Sequence, residues 1–152
     1  MPLTKLNSAS VIDRLPVGSV LQTLSVHNST EVEYTTANTY VDTGVTLSIT
    51  PTLSSSKILI TTTIQQFITA NTGSTSTRLL RGTTVVKDFG FQGYGGSSSL
   101  MLNGTNQYLD SPSTTSAITY KVQFQTNGIR TICQYQGNFG GVSTITLQEI
   151  KG

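Results

Sequence analysis

Charge, tryptophan, cysteine and histidine are all scarce in this sequence. Charged residues make up 11% of the 152 residues, against a usual share of about 25%, and Trp is absent. Cys133 is the only cysteine, so an internal disulfide is excluded. The nine Lys and Arg residues are scattered and do not interleave with aromatic residues. Nucleic acid is therefore not expected as a partner.

Long apolar runs are missing as well. No stretch approaches the ~20 apolar residues that cross a bilayer, so we expect no membrane segment. The first ten residues, MPLTKLNSAS, lack the apolar region of a secretory signal, and no such signal is expected. These features indicate a chain that is made and assembled in cytoplasm. Oligomerisation is one source of the stability that disulfides would otherwise supply.

Threonine and serine are abundant, and together they supply 45 residues. Because Thr favours strands and Ser favours turns, the composition predicts an all-β protein. Along residues 118–125, apolar side chains alternate with neutral Thr and Gln and a single charge. Neutral hydroxyl and amide groups interact with little dependence on salt, since few charges are present to be screened. Such a surface suits a structural or adhesive protein.

A period of two continues from Gly18 onward. Residues 41–49 alternate cleanly, and residues 57–68 predict a long central strand with both faces partly covered. Two short strands are predicted about Gly82. The dipeptide Asn127-Gly128 predicts a type I′ turn with the return strand directly after it. About eight to ten strands without a long helix predict one antiparallel β-sandwich or jelly roll over residues 19–152.

Residues 1–18 differ from the rest and form a short irregular arm in this interpretation. One helical turn is predicted after Ser8 or Ser10, and it should end before Pro16. The arm is either a floppy terminus or a segment that docks on a partner. Docking would use its five aliphatic residues, which are Leu3, Leu6, Val11, Ile12 and Leu15.

A glycine-rich stretch, GFQGYGGSSS over residues 90–99, is predicted as a surface loop. It carries or adjoins Phe89, Phe91 and Tyr94, which are the candidates for contact with an outer partner. The stretch lacks the order of a nucleotide-binding loop and is not followed by a helix pattern.

Catalytic motifs are not found. His27 is the only histidine, and it is expected to face solvent, although Glu31 and Glu33 beside it could form a weak metal site. A Ser-His-Asp triad would need His27, and no G-x-S-x-G motif is present. The enzymatic alternative is a pair of distant acids assembled by the fold, without a Trp platform for sugar. We predict no enzyme activity, no cofactor and no metal.

Four segments resemble a group of small virion proteins of tailed phages, especially phages of cyanobacteria. They are GSVLQ (18–22), SSKILI (55–60), DSPSTTSAITYKVQ (110–123) and STITLQEI (143–150). The resemblance covers about residues 17–150, although residues 71–100 match no pattern of the group.

The resemblance implies a jelly roll similar to tumour-necrosis-factor-like domains, assembled as a homotrimer. Aromatic residues would then line the threefold axis. The candidates are Phe67, Tyr108, Tyr120, Tyr135 and Phe139. Burial in the core of each chain is the alternative for every one of them, because periodicity does not separate the two environments.

Such virion proteins occur on heads as decoration or cement proteins and on tails as fibre tips. The short arm favours a trimeric decoration protein that is anchored to the major capsid protein through residues 1–18. The alternative is a receptor-binding tip or small tail-fibre protein that uses the aromatic loop against host surface glycans. Either location is on the virion, after assembly in the host cytoplasm.

Overall fold

The computed structural model describes residues 8–69, 73–128, 130–138 and 140–152, and within them one short helix precedes ten strands. The helix is α1 (Ser8–Arg14). The strands are β1 (Val20–Asn28), β2 (Val32–Tyr34), β3 (Val41–Ile49), β4 (Lys57–Ile68), β5 (Gly73–Arg81), β6 (Thr84–Gly95), β7 (Leu100–Asp110), β8 (Ile118–Thr126), β9 (Thr131–Cys133) and β10 (Ser143–Ile150).

Alternation of apolar and polar residues explains why these segments are strands. In β8, the side chains of Tyr120, Val122, Phe124 and Thr126 are buried, and each intervening residue is half-buried. The same alternation runs through β10. A period of two places the two sets of side chains on opposite faces of a sheet. Each of these strands therefore has one face in the core and one toward the surface.

The strands form two antiparallel sheets. In the first sheet, β4 pairs with β7 along one edge, and with β10 and then β9 along the other. β1 pairs with β10 and β2 with β9, which completes this sheet. The second sheet has the order β3-β8-β5-β6.

The strand pairs are nested along the chain. β5 pairs with β6, β4 with β7, β3 with β8, and β1 with β10, so each pair encloses the one before it. Successive pairs alternate between the two sheets. This connectivity is that of a jelly roll, and the predicted antiparallel β-sandwich is confirmed.

The core lies between the two sheets. Burial of a large aliphatic or aromatic side chain stabilises the fold by about 1.5–3 kcal/mol. Cys133 is buried among these residues, and burial raises the pKa of its thiol. The core cluster consists of Val45, Ile49, Ile58, Ile60, Ile64, Leu79, Tyr120, Val122, Phe124, Cys133, Ile145 and Leu147.

Tyr120 was a candidate for the trimer axis, and the structure corrects this assignment. Its side chain is fully buried, and its Oη donates a hydrogen bond of 2.7 Å to Oδ2 of Asp110. The same oxygen accepts a bond of 2.9 Å from Nη1 of Arg81. Burial is the main cause of the raised pKa of Tyr120, and the nearby Asp110 adds to it. The hydroxyl therefore stays protonated and acts as a donor. Tyr120 has no surface left for contact with another copy.

Two predictions about loops are wrong. Residues 90–95 belong to the second half of β6, which pairs with β5 as far as Gly95. β6 ends the second sheet, and an edge strand with bulges tolerates glycine. Asn127-Gly128 does not close a hairpin, because β8 lies in the second sheet and β9 in the first. The chain crosses between sheets here, where the backbone N–H of Asn127 donates to the carbonyl of Ser74 at 3.0 Å.

A buried carboxylate fastens the connection between β3 and β4 to the last strand. Glu149, on β10, has no accessible surface. Its oxygens accept hydrogen bonds from the backbone N–H of Thr52 (2.6 Å), Oγ of Ser56 (2.7 Å) and Nε2 of Gln22 (2.6 Å). Burial alone would raise the pKa of Glu149. The hydrogen bonds from Gln22, Ser56 and Thr52 outweigh burial and hold that pKa below its usual value.

We predict that Glu149→Gln lowers the free energy of unfolding at neutral pH by about 2–4 kcal/mol, because an amide cannot accept all of these bonds. As the pH falls below 4.5, the unfolded carboxyl binds its proton before the folded one. Wild-type protein should therefore lose stability between pH 4.5 and the lower folded pKa of this group. Urea unfolding at several pH values measures both effects.

Glu33→Gln is the matched control for this prediction. Glu33 is exposed and pairs with Arg130 at 2.6 Å on the surface, so its neutralisation should change the unfolding free energy little. Equal stability of the two variants at neutral pH would contradict the role assigned to Glu149.

Candidate interaction surfaces

Within the arm, helix α1 is held to the sandwich by Lys151. As predicted, the helix ends before Pro16, and β1 begins at Val20. Nζ of Lys151 donates hydrogen bonds to the carbonyls of Ile12 (2.9 Å), Asp13 (3.2 Å) and Leu15 (2.6 Å). A cation is favourable there because the last carbonyls of a helix carry partial negative charge. Lys151 thereby fixes the position of the helix at one end of the sandwich.

Apolar side chains of the arm remain exposed. Val11 and Leu15 are exposed, and Val17 has 76% of its surface accessible. Ile12 is half-buried. Leu3 and Leu6, the other two predicted anchoring residues, lie outside the described residues. The sandwich therefore leaves Val11, Leu15 and Val17 uncovered, and these side chains are available to a partner.

The outer face of the first sheet is almost free of charge, and we call it the neutral face. Oγ of Ser25 lies 2.9 Å from Oγ1 of Thr146, and Oγ1 of Thr63 lies 3.0 Å from Oγ1 of Thr105. These bonds between hydroxyls link neighbouring strands. The neutral face consists of three rows across β1, β10, β4 and β7: His27, Thr144, Thr63 and Thr105; Ser25, Thr146, Thr61 and Gln107; and Thr23, Gln148, Leu59 and Leu109.

Two of the trimer candidates meet at one end of this sheet. The rings of Phe67 and Tyr135 stack with centroids 4.5 Å apart and planes 15° from parallel, and both residues are half-buried. Tyr108 instead packs against the core cluster, on the same side of β7 as Asp110. Phe139 lies outside the described residues. Among the described candidates, Phe67 and Tyr135 are thus half-buried against each other, whereas Tyr108 is half-buried against the core cluster.

Phe91 and Tyr94 form an exposed aromatic pair on the second sheet. Phe91 is opposite Ser76, and Tyr94 is opposite Ser74, two residues along β5. Gln92 is an extra residue in β6, a β-bulge, so Phe91 and Tyr94 face the same side although they are three positions apart. Phe89 is half-buried against the core. The three aromatic residues predicted to act together are therefore divided between core and surface.

A side-chain network crosses the second sheet beside this pair. Arg78 donates through Nε and Nη2 to Oε1 of Gln123, at 2.9 and 2.7 Å. Gln123 donates to Oδ1 of Asp42 at 2.7 Å, and Lys121 donates to Oδ2 at 2.9 Å. The guanidinium of Arg78 also lies 3.9 Å from the ring centroid of Tyr40. The sequence does not reveal this network, because its members come from three strands that are distant in sequence.

Electrostatics within the network favour its charged form. Partial burial would raise the pKa of Asp42, but the hydrogen bonds from Lys121 and Gln123 outweigh it and lower this pKa. Burial raises the pKa of Tyr40 and keeps its hydroxyl neutral. A cavity of about 250 Å³ lies beside Asp42 and Lys121 of the network. Gly44, which also lines it, has a φ of +77° at a register shift of β3. Asp42, Gly44, Val45, Thr46, Lys121 and Val122 line this cavity.

The weak metal site proposed around His27 is not formed. Glu33 pairs with Arg130, and a carboxylate oxygen of Glu31 accepts a bond of 2.8 Å from the backbone N–H of Gln136. His27 is exposed, as predicted. Within the described ranges, no three His, Cys, Asp or Glu residues are grouped as metal ligands. In the same ranges, no helix has the length and hydropathy to cross a membrane.

Comparisons with known proteins give only distant similarities. No family model and no curated protein matches the chain. The IBDV T13 viral particle has a chain with 9% identity and a TM-score of 0.45, over 85% of this chain and 37% of that one. The VP2 subviral particle of infectious bursal disease virus gives 10% identity and a TM-score of 0.42, over 85% and 39%. The chain thus spans less than two fifths of these viral chains, and similarity of this degree says nothing about function.

We predict that Lys151→Met loosens α1 without unfolding the sandwich. The three hydrogen bonds from Lys151 to the carbonyls of Ile12, Asp13 and Leu15 are lost. Amide exchange in residues 11–17 should therefore become about tenfold faster or more. Hydrogen exchange with mass spectrometry measures this, and Lys57→Met, at the exposed start of β4, is the control. Unchanged exchange in residues 11–17 would contradict the role of Lys151.

Proposed function

We propose that the protein is a structural component of a virion, and in particular a trimeric capsid decoration (cement) protein of a tailed phage. The observation that carries this proposal is the arm, where Val11, Leu15 and Val17 stay exposed while Lys151 holds the helix against the sandwich. The jelly roll and the four sequence segments that resemble phage virion proteins support it further. The arm, residues 1–18, anchors the protein to the major capsid protein, and residues 19–152 form the body.

Stabilisation of the shell follows from mass action. A protein that binds the assembled shell and not the free subunits stabilises the shell by an amount that rises with the logarithm of its concentration. At a hundred times the Kd, this amounts to about 2.7 kcal/mol for each site. No catalytic step is required, and the protein acts without a cofactor.

A homotrimer fits the same role. Close to a threefold axis, a residue lies near its own symmetry mates, so a charged side chain there would face like charges. The neutral face has only His27 as a titratable group among its twelve positions, and it ends at the stacked Phe67 and Tyr135. These two aromatic residues are the contacts that we assign to the trimer.

A second candidate function is a receptor-binding tip or small tail-fibre protein. It is favoured by the exposure of Phe91 and Tyr94, which are on the opposite sheet from the neutral face. In this case, the aromatic pair would adhere to the host cell surface.

We predict that deletion of residues 1–16 leaves a folded trimer that no longer binds capsids, since the exposed aliphatic residues of the arm are lost. Sedimentation velocity measures the trimer, and cosedimentation with capsids that lack the protein measures binding. Val11→Asp combined with Leu15→Asp should weaken binding by at least about tenfold. Val85→Asp, at an exposed residue of β6 outside the arm and the neutral face, distinguishes arm docking from a general loss of apolar surface. Saturation of capsids by the truncated protein would exclude the arm as anchor.

The number of copies per virion separates the two functions. Quantitative mass spectrometry, with the major capsid protein as reference, should give hundreds of copies in a simple ratio for a decoration protein. A few copies up to a few tens would reject lattice decoration and support a location on the tail or at a vertex.

A further inference from the structure

Among the described residues, Phe91 and Tyr94 are the aromatic side chains that are exposed. Phe91 has 62% of its surface accessible and Tyr94 has 63%. Single exposed apolar residues are ordinary, whereas aromatic residues that share one face and border ordered polar groups mark a binding surface. The bulge at Gln92 brings both rings to this face. Without it, Tyr94 would turn toward the sandwich.

Neutral hydrogen-bonding groups lie next to the two rings. Ser76 is opposite Phe91 on one side and Gln125 of β8 on the other, so ring, hydroxyl and amide form one row across three strands. Ser74, which lies opposite Tyr94 and two residues before Ser76 on β5, supplies a second hydroxyl. A ligand over the pair would therefore meet apolar rings and neutral donors and acceptors together.

The charged groups beside the pair are already matched with partners in this chain. Arg78 is held by Gln123 and the ring of Tyr40 and lies opposite Asp88 of β6, and Lys121 and Asp42 form an ion pair, so two positive charges face two negative ones. This pairing leaves little unbalanced charge to attract an ionic ligand. The surface is thus suited to an uncharged partner that carries many hydroxyl groups.

We infer that the outer face of the second sheet binds an uncharged oligosaccharide, with Phe91 and Tyr94 as the stacking platform and Ser74, Ser76 and Gln125 as hydrogen-bonding partners. The C–H faces of a pyranose ring are apolar and pack on aromatic rings. Its hydroxyls lie around the rim, where hydroxyl and amide groups reach them. The strip from Ser74 to Arg78 on β5 is about 13 Å long, which gives room for a short oligosaccharide.

A small ligand fits this surface better than a protein does. Two aromatic side chains bury about 150–250 Å² each at most, whereas a stable protein interface buries about 800 Å² on each partner. The inference rests on the proposed function only in that a virion would present this face outward. It does not depend on whether the protein is on the head or the tail.

A glycan array tests the inference with the full-length protein. The array carries neutral hexose and hexosamine oligosaccharides together with purified neutral and acidic bacterial polysaccharides. We expect binding to neutral members, and the affinity should stay nearly constant from roughly 0.05 to 0.5 M salt. Phe91→Ala and Tyr94→Ala should each weaken binding by at least about tenfold, and Phe91→Tyr should retain it.

Val85→Ala is the matched control, because it removes an exposed apolar side chain at the other end of β6. The inference is overturned if no neutral member binds, if only acidic members bind and salt abolishes the binding, or if the alanine variants bind like wild type. It is also overturned if these variants lower the oligomeric state in sedimentation velocity, since the pair would then contact a second copy. Capsid cosedimentation is measured separately, so failure of this inference differs from failure of the proposed function.

Discussion

The pairing of β4 with its three neighbours is the interaction on which the rest of the structure depends. β4 contacts β7 along one edge from Ile58 to Ile68, and β10 and β9 along the other. Because the strand pairs are nested, the register of β4 with β7 also sets where the enclosed β5–β6 hairpin lies on the second sheet. Loss of this pairing would separate β7 from the rest of the first sheet and open the core over Ile60 and Ile64.

The two sheets share one core but have different outer faces. Hydroxyls on the first sheet satisfy one another across strands, as Thr63 and Thr105 do, so this face needs neither charge nor ions to be stable. The second sheet instead carries Arg78, Lys121 and Asp42 in a connected network. The chain therefore combines one outer face that is nearly free of charge with another that carries a connected network of charged groups.

Sequence patterns predict the strands well, because alternation is local, and they fail where the partner is distant. The long strand over residues 57–68 and the alternation over residues 118–125 are confirmed. The Asn127-Gly128 hairpin is wrong because turn chemistry does not reveal that the next strand joins the other sheet. Glu149 and Lys151 were missed as anchoring residues, since they bond to groups 97 and 139 positions away. For the aromatic residues, alternation in the sequence does not distinguish a core position from a surface position, because the packing of the sheets decides which one it is.

The bulge at Gln92 determines which side chains of β6 the second sheet presents. A period of two means that a shift of one position exchanges the two sides of a strand. If Gln92 were paired with β5 in regular alternation, the Tyr94 side chain would turn inward and Gly93 would face outward, while the pairing of β5 with β8 would stay intact. Since β6 is an edge strand, the core would tolerate such a change more readily than in β4 or β8. Gain or loss of a single bulge in β6 is therefore a simple route by which related chains could gain or lose an aromatic surface on an unchanged scaffold.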